Sequence, residues 1–94
     1  MSTKDNKKKQ IDGKDIALSF ELPSGKKVDV LEGKGKDSQF AAKMSEGAPE
    51  QYMPALMHVL VRIDGEKLAI EDFEELPLRD YNKLQTEFSG LYFL

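Results

Sequence analysis

Between residues 16 and 30 the sequence carries two alternating apolar stripes joined by a turn, and this hairpin constrains the fold more than any other feature. Ile16, Leu18, Phe20 and Leu22 share one parity while Ala17, Ser19 and Glu21 take the other, which is the period of a half-buried strand. Pro23-Ser24-Gly25-Lys26 reads as the turn: proline sets its first angle and glycine supplies a positive φ. Val28 and Val30 then alternate with Lys27 and Asp29, and Leu31 ends the second strand. A two-stranded ribbon with one apolar face is marginal in water, so the rest of the chain has to cover it. The 94 residues suffice for one small domain, and with no cysteine that cover holds by packing alone. The expected fold is therefore α+β, an N-terminal β-hairpin packed against two or three helices.

The covering helices follow from periodicity and from caps. Asp37 is placed to cap a first helix through Phe40, Ala41 and Met44, which Gly47 ends. Gly47, Pro49 and Pro54 make residues 47–53 a connector, and a second element begins near Pro54. Over residues 55–63 nearly every side chain is apolar, and in a helix His58 and Arg62, four apart, share one face. A strand through Val59, Val61 and Ile63 is the competing reading, because so short a run does not separate the two periods; helix is preferred. Asp64-Gly65 stops the element, a short extended piece follows over residues 67–69, and Ile70, Phe73 and Leu76 mark one face of an acidic helical turn or two. Pro77 opens the clearest helix, with Leu78, Tyr81, Leu84 and Phe88 at spacings of three, three and four and Gly90 as its stop.

Charge divides the chain. Residues 1–36 hold nine lysines against six acids, and residues 37–94 hold five basic against eleven acidic residues, so the net charge of −3 conceals two halves of opposite sign. Lys4, Lys7, Lys8 and Lys9 lie in a stretch too poor in apolar residues to repay its ordering entropy. Residues 1–13 are accordingly read as a disordered lysine-rich tail and residues 14–94 as the single domain. No run approaches the roughly 18 apolar residues that cross a bilayer, and no apolar stretch follows the N-terminal lysines as in a signal peptide. Neither a membrane nor, given the acidic folded part, a nucleic acid is the expected partner.

Catalytic and metal chemistry find little footing. His58 is the single histidine, and no Cys-His, Ser-His-Asp or His-Glu-x-x-His arrangement assembles around it. The glycines of Gly33-Lys34-Gly35-Lys36-Asp37 fit neither phosphate-loop spacing. Residues 64–75 match a calcium loop only at their ends, with Ala69 where its glycine belongs and Leu68 where an oxygen ligand belongs. No enzyme, cofactor or metal is expected. The informative features are apolar. The C-terminal Leu91-Tyr92-Phe93-Leu94 either folds back over the hairpin, the preferred reading, or forms a patch that docks on a partner. Met44, Met53 and Met57 have adaptable side chains that fill gaps in a small core by default and also suit a surface holding incompletely folded clients. The candidate partner-binding residues are Met53, Met57, Tyr81, Phe88, Leu91, Tyr92, Phe93 and Leu94.

The ordered set of these features resembles the small tail assembly chaperones of long-tailed bacteriophages, in particular those of Mu-like phages and prophages. The resemblance rests on Leu22-Pro23-Ser24-Gly25-Lys26, Gly35-Lys36-Asp37, Ile63-Asp64-Gly65 and above all Leu76-Pro77-Leu78-Arg79-Asp80-Tyr81 with Leu84 and the apolar end, together covering residues 16–94. It implies a non-enzymatic protein of the bacterial host cytoplasm that binds the tape-measure protein, or another tail protein, during tail assembly. The implied positions are structural: Gly25 and Gly65 for turns, Pro77 for a helix start, and Leu78, Tyr81 and Leu84 for packing. A homo-oligomer is compatible with this reading, since a hairpin edge can pair with a second copy. The alternative is a small nucleic-acid-binding protein using Lys4, Lys7, Lys8 and Lys9 with Lys14, Lys26, Lys27, Lys34 and Lys36 as a basic stripe.

Overall fold

Two Asp-Gly pairs fold the chain back on itself. Asp12 and Gly13 have φ of 53° and 80°, and Asp64 and Gly65 have φ of 52° and 82°. Two successive positive φ values match the twist of a tight hairpin, and Asp-Gly tolerates them at low cost. The computed structural model describes residues 10–93. The first pair joins β1 (Gln10–Ile11) to β2 (Lys14–Glu21), and the second joins β4 (Val61–Ile63) to β5 (Glu66–Lys67). β3 (Lys27–Leu31) lies between, giving a five-stranded antiparallel sheet in the order β1-β2-β3-β4-β5 that curls into a half-barrel.

The expected hairpin is thus the middle of a larger sheet. Its register sets Leu18 against Val30 and Phe20 against Val28, and β3 in turn sets Val28 against Ile63 and Val30 against Val61. These six side chains share one face. The other face carries Ser19, Asp29 and Arg62 in a row. An irregularity between Ile16 and Leu18 shifts the register so that Ile16 faces Leu31, which is fully buried although it follows the inward Val30.

The cover comes from four helices: α1 (Gly35–Met44), α2 (Tyr52–Leu60), α3 (Ile70–Glu74) and α4 (Leu78–Tyr92). A 3-10 turn at Pro49–Gln51 leads into α2. Helices and sheet share one apolar core, which includes Val28, Val30, Ala41, Met57, Phe73, Leu84 and Phe88. The architecture is α+β.

Several expectations are corrected. Residues 10–13 form strand and turn, so the expected tail gives way to the sheet at Gln10; residues 1–9 lie outside the described residues. The second helix starts at Tyr52, ahead of Pro54, because a proline in the first helical turn removes only an N–H that has no intrahelical partner anyway. It ends at Leu60. Val61 and Ile63, both β-branched, take the free edge of β3, where sheet pairing outweighs helix continuation. His58 and Arg62 therefore do not share a helix face. Gly90 stops nothing, as α4 runs on to Tyr92.

The first helix is capped differently from the expectation. Asp37 sits at its third position, and its carboxylate accepts the N–H of Lys34, the residue that precedes the helix, at 2.9 Å. Asp72 of α3 accepts the N–H of Ala69 in the same way, also at 2.9 Å. Each carboxylate satisfies a donor at a helix start and lies at the positive end of its helix dipole.

Candidate functional site

α4 decides which apolar side chains reach the surface. At 3.6 residues per turn a step of three falls about 60° short of a full turn, so two such steps carry Leu78 about 120° away from Leu84. Leu84 and Phe88 are fully buried, Tyr81 is half-buried, and Leu78 is 73% exposed. The packing role expected of Leu78 is thereby corrected. Asp80 takes the inward position one step from Tyr81 and is 1% exposed.

Asp80 again occupies the third position of its helix, but the residue preceding that helix is Pro77, which has no N–H to offer. Its Oδ1 instead accepts the N–H of Ser24 at 3.1 Å, which ties the β2–β3 turn to the start of α4. Oδ2 has no hydrogen-bond partner among the described residues.

Leu78 lines an apolar groove of about 400 Å³ together with Pro54, Phe73, Glu74, Leu76 and Tyr81. Three helices build it. α2 contributes its proline, α3 Glu74 and the buried Phe73 beneath it, and α4 the exposed leucine and the tyrosine. A second groove of about 230 Å³ lies where the end of α4 meets α1 and α2, between Gly33, Tyr52, Leu56, Leu60, Tyr92 and Phe93. It is pinned by polar contacts. Tyr92 Oη donates to the carbonyl of Leu31 at 2.5 Å and accepts the N–H of Gly33 at 2.9 Å, and the hydroxyls of Ser38 and Tyr52 lie 2.5 Å apart. Burial pushes the Tyr92 phenol above its ordinary pKa; the negative charges of Glu32 and Asp37 act in the same direction, against the Gly33 hydrogen bond.

The residues proposed from sequence for partner contact divide accordingly. Tyr81 lines the first groove, Tyr92 and Phe93 line the second, and Leu91 is 38% exposed beside them. Met53 is half-buried against the core. Met57 and Phe88 are corrected: both are fully buried core residues and present no surface. Leu94 lies outside the described residues. Sequence reasoning passed over Leu78 as a surface residue and left Phe40, 54% exposed on α1, without a role. For Leu78 the signal was available, since spacings of three, three and four do not stay on one helix face.

Among the described residues the lysines of the alternative reading fall into two groups, and Lys4, Lys7, Lys8 and Lys9 lie outside the described residues. Lys14 lies 3.3 Å from Asp37, with Lys34 and Lys36 close by at one end of the β2–β3 hairpin, where Asp15 and Glu32 share the same hollow. Burial opposes ionisation of Asp37, but the Lys34 N–H and the Lys14 ammonium outweigh it and hold the carboxyl below its usual range. Lys26 and Lys27 sit at the other end, about 20 Å away at the usual rise per residue, with Lys27 paired across the sheet to Glu21.

His58 is half-buried, with Nδ1 2.6 Å from the Leu68 carbonyl. No group of three or more acidic, histidine or cysteine side chains among the described residues is placed to hold a metal ion, and no helix there is long and apolar enough to cross a membrane. The chain matches no family model, no curated protein and no solved structure.

Proposed function

We propose that this protein is a non-enzymatic assembly chaperone that shields an apolar helical segment of a long partner, the tape-measure protein of a phage or prophage tail. The observation that carries the reading is the groove between α2, α3 and α4, with Leu78 73% exposed in its lining. A small domain without disulfides gains nothing in stability from a leucine left in water, and exposed apolar patches beside a groove are the usual form of a site for amphipathic helices. The family resemblance supplies the identity of the partner. A tape-measure chain offers long apolar helical stretches before the tail tube encloses them, and a net negative carrier keeps such a complex soluble.

The test joins gene context to solubility. The genes flanking this one should encode a tail-tube protein on one side and a very long helix-rich protein on the other. Co-expression of the full chain with that long protein should raise its soluble fraction and co-purify with it, and Leu78→Ser should remove both effects. A neighbourhood without tail genes, or a long partner equally soluble with and without this chain, overturns the reading.

A further inference from the structure

The first groove is electrically one-sided. Glu74 is the only charged residue among its six lining residues. Glu71 lies one helical turn before Glu74 on α3, and Glu75 is four residues from Glu71, so the three carboxylates form a strip along the same flank. All three are exposed, and none makes an ion pair with another described residue. Like charges at this spacing repel one another, a cost that an opposite charge from outside would relieve. The rest of the lining is apolar, from proline, phenylalanine, leucine and tyrosine side chains.

We propose that the occupant of this groove is an amphipathic helix whose apolar stripe is bordered by lysine or arginine. The stripe packs on Pro54, Leu76, Leu78 and Tyr81 while the basic border runs along Glu71, Glu74 and Glu75. Rim charges of this kind contribute to partner choice and association rate more than to raw affinity. The inference rests on the apolar-segment reading above and adds the charge of the segment, which that reading leaves open. Neither an acidic helix nor an uncharged one meets the strip.

The experiment uses the full chain and two fluorescent 18-residue peptides with the same leucine stripe, one bordered by lysines and the other by glutamates, followed by anisotropy. At 50 mM salt the lysine peptide should bind about tenfold more tightly or better, and the advantage should shrink to about twofold at 500 mM as screening shortens the reach of the charges. The double variant Glu71→Lys, Glu74→Lys should reverse the preference. Leu78→Ser should weaken both peptides with its melting temperature within about 2 °C of the parent, as expected for an exposed site. Equal binding of the two peptides, lost on Leu78→Ser, overturns the charge inference and leaves the apolar reading standing. Binding of neither peptide, or binding untouched by Leu78→Ser, overturns both. A dimer by light scattering that Leu78→Ser dissolves makes the occupant a second copy and also overturns the proposal.

Discussion

Tyr92→Phe removes one oxygen and keeps the ring, so it isolates what the hydroxyl contributes. That oxygen bridges the Leu31 carbonyl at 2.5 Å and the Gly33 N–H at 2.9 Å, fastening the last turn of α4 to the end of β3. The ring stays edge-on to Phe88, with centroids 5.3 Å apart. An orphaned buried backbone group costs about 1–3 kcal/mol, and half-exposure of Gly33 and Tyr92 lets water recover part of it. Taking the lower end for each partner gives about 2 kcal/mol. For a domain of this size each kcal/mol moves the melting temperature by about 4–8 °C, so a calorimetric or circular-dichroism melt at pH 7 should fall by about 8–16 °C. Truncation after Gly90 also removes the ring and should cost more. A loss below about 0.5 kcal/mol for Tyr92→Phe would refute the reasoning and return residues 91–94 to the reading of a dispensable docking tail.

The same oxygen predicts an alkaline limit. The folded-state phenol has a raised pKa, so its stabilisation is fully present below the ordinary value near 10 and is lost as pH rises through the folded value. Above pH 10 the parent should lose stability faster than Tyr92→Phe, and the two curves should converge.

Three further outcomes follow from individual contacts. Asp37→Asn should cost about 1 kcal/mol at pH 7 by urea titration. Because the Asp37 pKa is lowered on folding, that stabilisation exists above the ordinary carboxyl value and disappears as pH falls through the folded one, so parent and variant should converge below about pH 4. Arg62→Met should cost about 2 kcal/mol, because Arg62 is 3% exposed and its guanidinium donates to the carbonyls of Val59 and Val61 at 3.1 and 3.0 Å as well as to Asp12 at 2.8 Å. Gly33→Ala should cost less than about 1 kcal/mol: a Cβ there would lie 2.8 Å from Leu60 Cδ1, the end of a side chain that lines the adjoining groove and can shift into it.

What could be read from sequence was whatever a local period fixes. The alternation through Leu18, Phe20, Val28 and Val30 gives the central strands and their inward face, and Leu84 with Phe88 gives the buried side of α4. Helix and strand at residues 55–63 were a different matter, since the apolar run there is helix for its first part and strand for its last. The switch is made by β3, whose second edge takes Val61 and Ile63, and a tertiary partner of this kind leaves no local trace. Two signals carried more than the sequence reading takes from them. Asp12-Gly13, inside the expected tail, and Asp64-Gly65, taken as a stop and a turn, are each the turn of a hairpin, and reading them as such gives the outer strands of the sheet. The drift of a three-residue step would likewise have placed Leu78 outside.

Leu22-Pro23-Ser24-Gly25-Lys26 and Leu76-Pro77-Leu78-Arg79-Asp80-Tyr81 look independent in the sequence and are joined in space by one hydrogen bond. α1 and α3 each place an aspartate at the third position and return it to the N–H of the residue before the helix. α4 has the aspartate but follows a proline, so the local donor is missing and Asp80 takes its hydrogen bond from Ser24, 56 residues away. Proline at that point turns a local cap into a long-range tie. It also positions the groove: with Asp80 fixed inward by the turn, the residue two places before it is rotated outward, and that residue is Leu78. The exposed leucine on which the binding proposals rest is therefore a geometric consequence of how α4 is anchored to the hairpin. Its exposure is as firmly built as the buried carboxylate beside it.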